Sequence, residues 1–158
     1  MPRNFSMYYY LIIAGILILD QAVKKAVTAN MRLNESIPVF KEFFHITYIQ
    51  NTGAAFSLME GFRTFLILLP LVLILAAVVY IFVKRQTAHP ALLVSVAFIA
   101  GGGLGNVIDR ALFGYVVDYL DFRVFPIFNI ADIFVCAGCA LLVIYIIFID
   151  GRKASAQK

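Results

Sequence analysis

Apolar residues in this chain fall into four long blocks, covering roughly positions 8–27, 65–84, 91–109 and 130–149. A helix needs about 20 such residues to cross the hydrocarbon core of a bilayer. The pattern therefore predicts four transmembrane helices. Tyr8, Tyr9 and Tyr10 open the first block, where an interfacial aromatic belt belongs. The first block reads as a retained span rather than a cleaved leader. Asp20, Lys24 and Lys25 lie between its apolar core and the small-residue run Val27-Thr28-Ala29. Between the first two blocks the pattern changes. FFHITYIQN (43–51) is rich in aromatic and β-branched residues and predicts a strand. Asn51 and Gly53 then signal a turn. A loop of more than 30 residues in so small a chain is expected to be functional, here as a small sheet at the membrane surface.

Composition supports this picture. The 158 residues are 63% hydrophobic and 14% charged, with a mean hydropathy of +0.93. Soluble domains are nearer half apolar and a quarter charged. One membrane-embedded domain over 1–158 is the expected organisation. The net charge of +4 reports loop orientation rather than nucleic-acid binding. Arg3, Lys84, Arg85, Arg152, Lys153 and Lys158 fall at the termini and between blocks two and three, with Asp150 as the one acid on that side. The positive-inside rule then puts both termini in the cytoplasm and the other acids toward the outer face. Cys136 and Cys139 lie within the fourth block and are expected to pack there, buried, rather than form a redox pair. Gly101 and Gly105 form a GxxxG that lets helices approach closely. GGGLGN lacks the strand–loop–helix context of a phosphate loop.

The acids are unevenly placed. Asp109, Asp118, Asp121 and Asp132 fall within Gly101–Asp132, four of the nine in the chain. Acids at span ends are costly unless paired, hydrated or used. Asp118 and Asp132 stand 14 residues apart around the connection between blocks three and four, so a turn at the boundary can bring them together. Two adjacent carboxylates share one proton, and such a pair can act as base and acid on an amide. Other readings stand beside this one. Asn129-Ile-Ala-Asp132 has the form of a helix cap, Asp118 of an ordinary loop acid, and Asp109-Arg110 of an interfacial ion pair. Asp20 and Lys24 share a helix face, as a structural ion pair or as the lining of a polar site. Asp121 reads as structural, and His45 as a surface residue. Neither metal-ligand spacing nor a nucleophile–histidine combination is evident, so no cofactor is expected. An ion- or proton-carrying subunit is the competing class, and it would need its acids at mid-bilayer depth.

Five segments carry a resemblance: LDQAVK (19–24), QNTGAAFSL (50–58), GGGLGNVIDR (101–110), GYVVDYLDF (114–122) and FNIAD (128–132). In this order the chain resembles the bacterial lipoprotein signal peptidases, the type II signal peptidases, over nearly its whole length. The resemblance implies an all-α, four-span protein of the inner membrane with a small β-cradle in the first outer loop. It implies a membrane aspartyl endopeptidase that removes the signal peptide of a prolipoprotein, just before a cysteine carrying diacylglycerol. The catalytic aspartates would be Asp118 and Asp132. Asn51, Gly53, Asn106, Asp109, Arg110, Asn129, Asp20 and Lys24 would bind substrate or support the site. The family more often has phenylalanine where this chain has Tyr119.

Overall fold

The computed structural model describes residues 5–53 and 62–150. The Ala54–Leu58 part of the second motif lies outside them, as do Arg3 and the basic residues beyond Asp150. The order of elements is α1 (Phe5–Asn30), β1 (Ser36–Phe40), β2 (Phe44–Asn51), α2 (Arg63–Lys84), α3 (Pro90–Phe113), β3 (Val116–Asp121) and α4 (Ile130–Tyr145), which continues as a π-helical turn, Ile146–Asp150. The helices α2, α3 and α4 with its continuation are long and apolar enough to cross a membrane. With 26 residues, α1 is the fourth helix beside them, about 39 Å long at 1.5 Å per residue.

Lipid-facing chemistry is plainest on α2. Only Leu66, Ile74 and Ile81 are buried, spaced as one seam, while Leu68, Val72, Leu75, Val79 and Val83 point outward. Apolar residues on both faces suit a helix with protein on one side and acyl chains on the other. The central helix is α3. Gly101 and Gly105 face α1, where an added Cβ at 101 would come within 3.2 Å of Ile13 and Ile16. Gly102 and Gly138 fit α3 against α4 in the same way, since a side chain on Gly138 would press on Ile99 and the Ser95 carbonyl. Small residues are what permit such close helix contact in lipid.

Two sequence expectations change here. The third helix does not stop at Asp109 but runs on to Phe113, where Gly114 ends it at φ +86° with its N–H donating to the Arg110 carbonyl. A left-handed cap of this kind suits glycine. Asp109 and Arg110 therefore lie on the last turns of a helix. The sheet is also not confined to the first loop. It has three antiparallel strands in the order β1-β2-β3, and β3 comes from the α3–α4 connection, with Asn51 opposite Val116 and Ile49 opposite Asp118. The sheet lies at the end of the bundle formed by the last turns of α1 and α3 and the start of α4. There Asp20 of α1 accepts the Ala131 N–H of α4, and Asp109 of α3 accepts the Val117 N–H of β3.

Candidate active site

The α4 N-terminus begins with a reciprocal cap. The Asn129 side chain accepts the Asp132 N–H at 3.0 Å, and Asp132 Oδ2 accepts the Asn129 N–H at 3.1 Å. The cap reading is thus correct, and the cap fixes the orientation of the Asp132 carboxyl at the same time. A carboxylate in the first turn also lies where the helix dipole favours negative charge. The second oxygen of Asp132 accepts from the Asn106 amide at 2.8 Å. On β3, Asp118 is 2% exposed and accepts two amides, Asn51 at 2.9 Å and Asn129 at 2.7 Å. Asn129 also donates to Asn106 Oδ1 at 3.2 Å. Two asparagines therefore span from one aspartate to the other, and both aspartates line one cavity of about 490 Å³.

The cavity has a polar wall, with Asn51, Asn106 and Arg110 beside the aspartates, and an apolar wall that includes Ile49, Val116, Phe125, Ile127 and Phe128. Arg110 Nη2 donates to the Gly53 carbonyl at 2.7 Å, and the Gly53 N–H bonds back to the Asn51 side chain at 3.0 Å. Arg110 is thus tied through Gly53, just after β2, to Asn51 and so to Asp118. Its buried Nε has no hydrogen-bond partner among the described residues. Asp109 does not pair with Arg110. It pairs with Lys24 of α1 at 2.9 Å, which also pairs with Asp20 at 2.9 Å.

Every site residue singled out in the sequence therefore belongs to one hydrogen-bonded constellation. Asp121 does not line the cavity. It accepts from Thr47 and from the backbone and guanidinium of Arg123, so it shapes the turn after β3. His45 bonds to Ser36 and to the Lys41 carbonyl, away from the cavity. The cysteines are not buried as expected: both are exposed, and Cys136 lines the cavity one turn beyond Asp132. The apolar wall contributed by 125–128 and the half-buried bonds of Gln21 to Asp109 and the Gly105 carbonyl were not foreseen. Gln21 lies inside the LDQAVK motif, so a signal for it was present.

Burial pushes the Asp118 carboxyl up to about 6. The Asn51 and Asn129 amides pull it down, while the charge on Asp132 pushes it further up. At Asp121 burial also pushes upward, but the donors from Thr47 and Arg123 outweigh it and the carboxyl ends below its ordinary value. A carboxyl raised in the folded state costs stability once it must ionise. Asp118 thus contributes fully below its ordinary value of 3.8, and that contribution is lost as pH rises through about 6. The shift corresponds to roughly 3 kcal/mol. Asp118→Asn cannot ionise, so its thermal midpoint relative to the parent should rise between pH 4 and pH 8. Measuring both proteins in detergent across that range checks this, and a constant difference would refute it.

A bundle of helices long and apolar enough to cross a membrane, with two carboxyl side chains lining one cavity at its end, has the form of a membrane-embedded enzyme. Residues 12–148 match the signal peptidase (SPase) II family, and the chain belongs to that family. It is 46% identical over 137 residues to the lipoprotein signal peptidase of Halothermothrix orenii, covering 87% of this chain and 93% of the relative. The lipoprotein signal peptidase of Brevibacillus brevis is 40% identical, over 93% of this chain and 99% of its own. A bacterial membrane enzyme structure determined by the in meso method at 2.3 Å superposes with a TM-score of 0.84, at 32% identity, over 96% of this chain and 92% of the other.

Proposed function

We propose that this protein is an aspartic endopeptidase that cuts prolipoproteins at the outer boundary of the bacterial inner membrane, with Asp118 and Asp132 as its catalytic pair. The observation that carries the reading is the shared cavity: two carboxylates bridged by Asn106 and Asn129, one of them raised by burial to about 6. The pair shares one proton, and in the reacting form it sits on Asp118, whose carboxyl burial raises. A water between them gives a proton to Asp132 as its oxygen attacks the scissile carbonyl. Asp118 gives its proton to the carbonyl oxygen. Collapse of the tetrahedral adduct breaks the C–N bond as the proton on Asp132 passes to the leaving amine and a hydroxyl proton of the adduct returns to Asp118. No covalent intermediate is needed.

Asn51, Arg110 and Gly53 hold the end of the first loop over this reaction, and Asn106 and Asn129 fix the two carboxylates. The apolar wall and the exposed side chains of Val124 and Phe125 at its rim suit an acyl-bearing substrate that arrives from the bilayer. The lipid would be the diacylglyceryl group on the cysteine just after the cut. The basic residues Lys84 and Arg85 lie away from this end, which supports cytoplasmic termini and an outward-facing site.

The test is incubation of the purified protein with a diacylglyceryl-modified prolipoprotein. The expected result is a gel shift to the mature size and a free signal peptide ending just before the lipidated cysteine. An intact substrate, or a cut elsewhere, would reject the proposal.

A further inference from the structure

Beneath the cavity lies a buried charge cluster that touches no part of it with its carboxylates. Asp20 is 0%, Asp109 1% and Lys24 3% exposed. Two carboxylates and one ammonium leave a net charge of −1 inside the bundle. Breaking such a buried set is costly, yet its presence is weak evidence of a stabilising role. The remaining bonds of the cluster point to another task. Asp20 Oδ1 accepts the N–H of Ala131, the residue before Asp132, at 3.1 Å. Asp109 Oδ2 accepts the N–H of Val117, the residue before Asp118, at 3.2 Å. The third ammonium bond of Lys24 goes to Asn106 Oδ1 at 2.8 Å.

That last bond decides how Asn106 is oriented. Its oxygen receives Lys24 and the Asn129 amide, so its NH₂ must face Asp132 Oδ1. With the amide turned over, the ammonium would meet an NH₂ group and the Asp132 carboxylate would meet a carbonyl oxygen. Both contacts would be repulsive, so the cation locks one orientation.

We infer that Lys24 is a positioning residue for the aspartate pair: it fixes the Asn106 amide, and through it the orientation of the Asp132 carboxyl. The inference rests on the catalytic reading of the pair. Lys24 also acts on Asp118, where burial raises the carboxyl and the lysine charge is among the effects opposing that rise.

Removing Lys24 alone would leave two unpaired buried carboxylates, so the experiment uses Asp20→Asn as its background. An asparagine at 20 still offers an oxygen to the Ala131 N–H while its NH₂ faces Lys24, so every comparison is made against Asp20→Asn itself, and adding Lys24→Gln restores the parental formal charge of −1. In that background Lys24→Gln should lower kcat by about 10²-fold, the scale of a small misplacement of reacting groups. KM should change little, and the pH profile should move toward alkaline pH. The same substitution made in Asp20→Asn/Asn106→Ala should cost almost nothing further, because the group that Lys24 orients is gone. An unchanged kcat in the first background would overturn the inference. So would an equal loss with and without Asn106. Loss of the folded protein from the membrane in both backgrounds would also overturn it, since Lys24 would then be a folding residue. Cleavage by Asp118→Asn at the parental rate would instead remove the pair reading itself, which keeps the two failures distinct.

Discussion

Replacing Asp118 or Asp132 by asparagine is expected to abolish prolipoprotein cleavage while leaving a folded protein in the membrane. Asparagine keeps the shape of the side chain and one acceptor oxygen. At 132 that oxygen can still accept the Asn129 N–H of the cap, so the start of α4 survives. At 118 it can still accept one of the two amides. What is lost is the titratable proton. Position 132 can no longer receive a proton from water, and position 118 can no longer deliver one to the carbonyl oxygen. General acid–base catalysis is typically worth about 10²–10⁴-fold for each group, so each variant should lose activity toward the upper end of that range. The measurement is a cleavage time course at matched membrane expression. Turnover near the parental rate in either variant would end the assignment. Asp121→Asn is the control, because Asp121 serves Thr47 and Arg123 rather than the cavity. It should keep most of the activity.

Omitting the diacylglyceryl group from the substrate should slow cleavage by at least about 10²-fold, the scale on which positioning alone acts. Each buried methylene of an acyl chain contributes about 0.8 kcal/mol to membrane anchoring. Two chains therefore hold the residue that bears them at the depth of the interface. On the proposed reading the cavity lies at that depth. Its polar wall carries the aspartates and its other wall is apolar, and Phe125 belongs both to that wall and to the exposed rim beside Val124. A precursor without the lipid keeps its transmembrane segment but loses the restraint next to the scissile bond. Comparing kcat/KM for the two forms of one prolipoprotein tests this. Equal values would mean that the signal segment alone sets the register, and that the apolar wall has another purpose.

The four helices were legible in the chain because lipid imposes a simple rule: about 20 apolar residues with every backbone group bonded internally. The strand β2 was legible for a related reason, since its β-branched and aromatic residues are local and continuous. The acidic residues of the site could be picked out because charge near a span end is expensive and therefore conspicuous. The sequence also held the Asn129–Asp132 cap, a contact between residues three apart.

What only the tertiary structure decided is set by contacts between distant residues. The strand β3 exists because it pairs with β2, Asn51 against Val116, 65 positions later. Val116, Val117, Asp118 and Tyr119 are all buried, so the strand shows no alternation that a sequence could reveal. The C-terminal end of α3 looked like the end of a span because Asp109 and Arg110 are charged, yet the helix continues to Phe113 with Lys24 of α1 neutralising one of them. The Lys24 contact to Asp20 follows from helical spacing, whereas its contacts to Asp109 and Asn106 do not. Local chemistry thus chose the helices and the candidate acids. Which amide faces which carboxylate was fixed only when α1, α3, α4 and β3 met in one low-dielectric place where an unpaired polar group is costly.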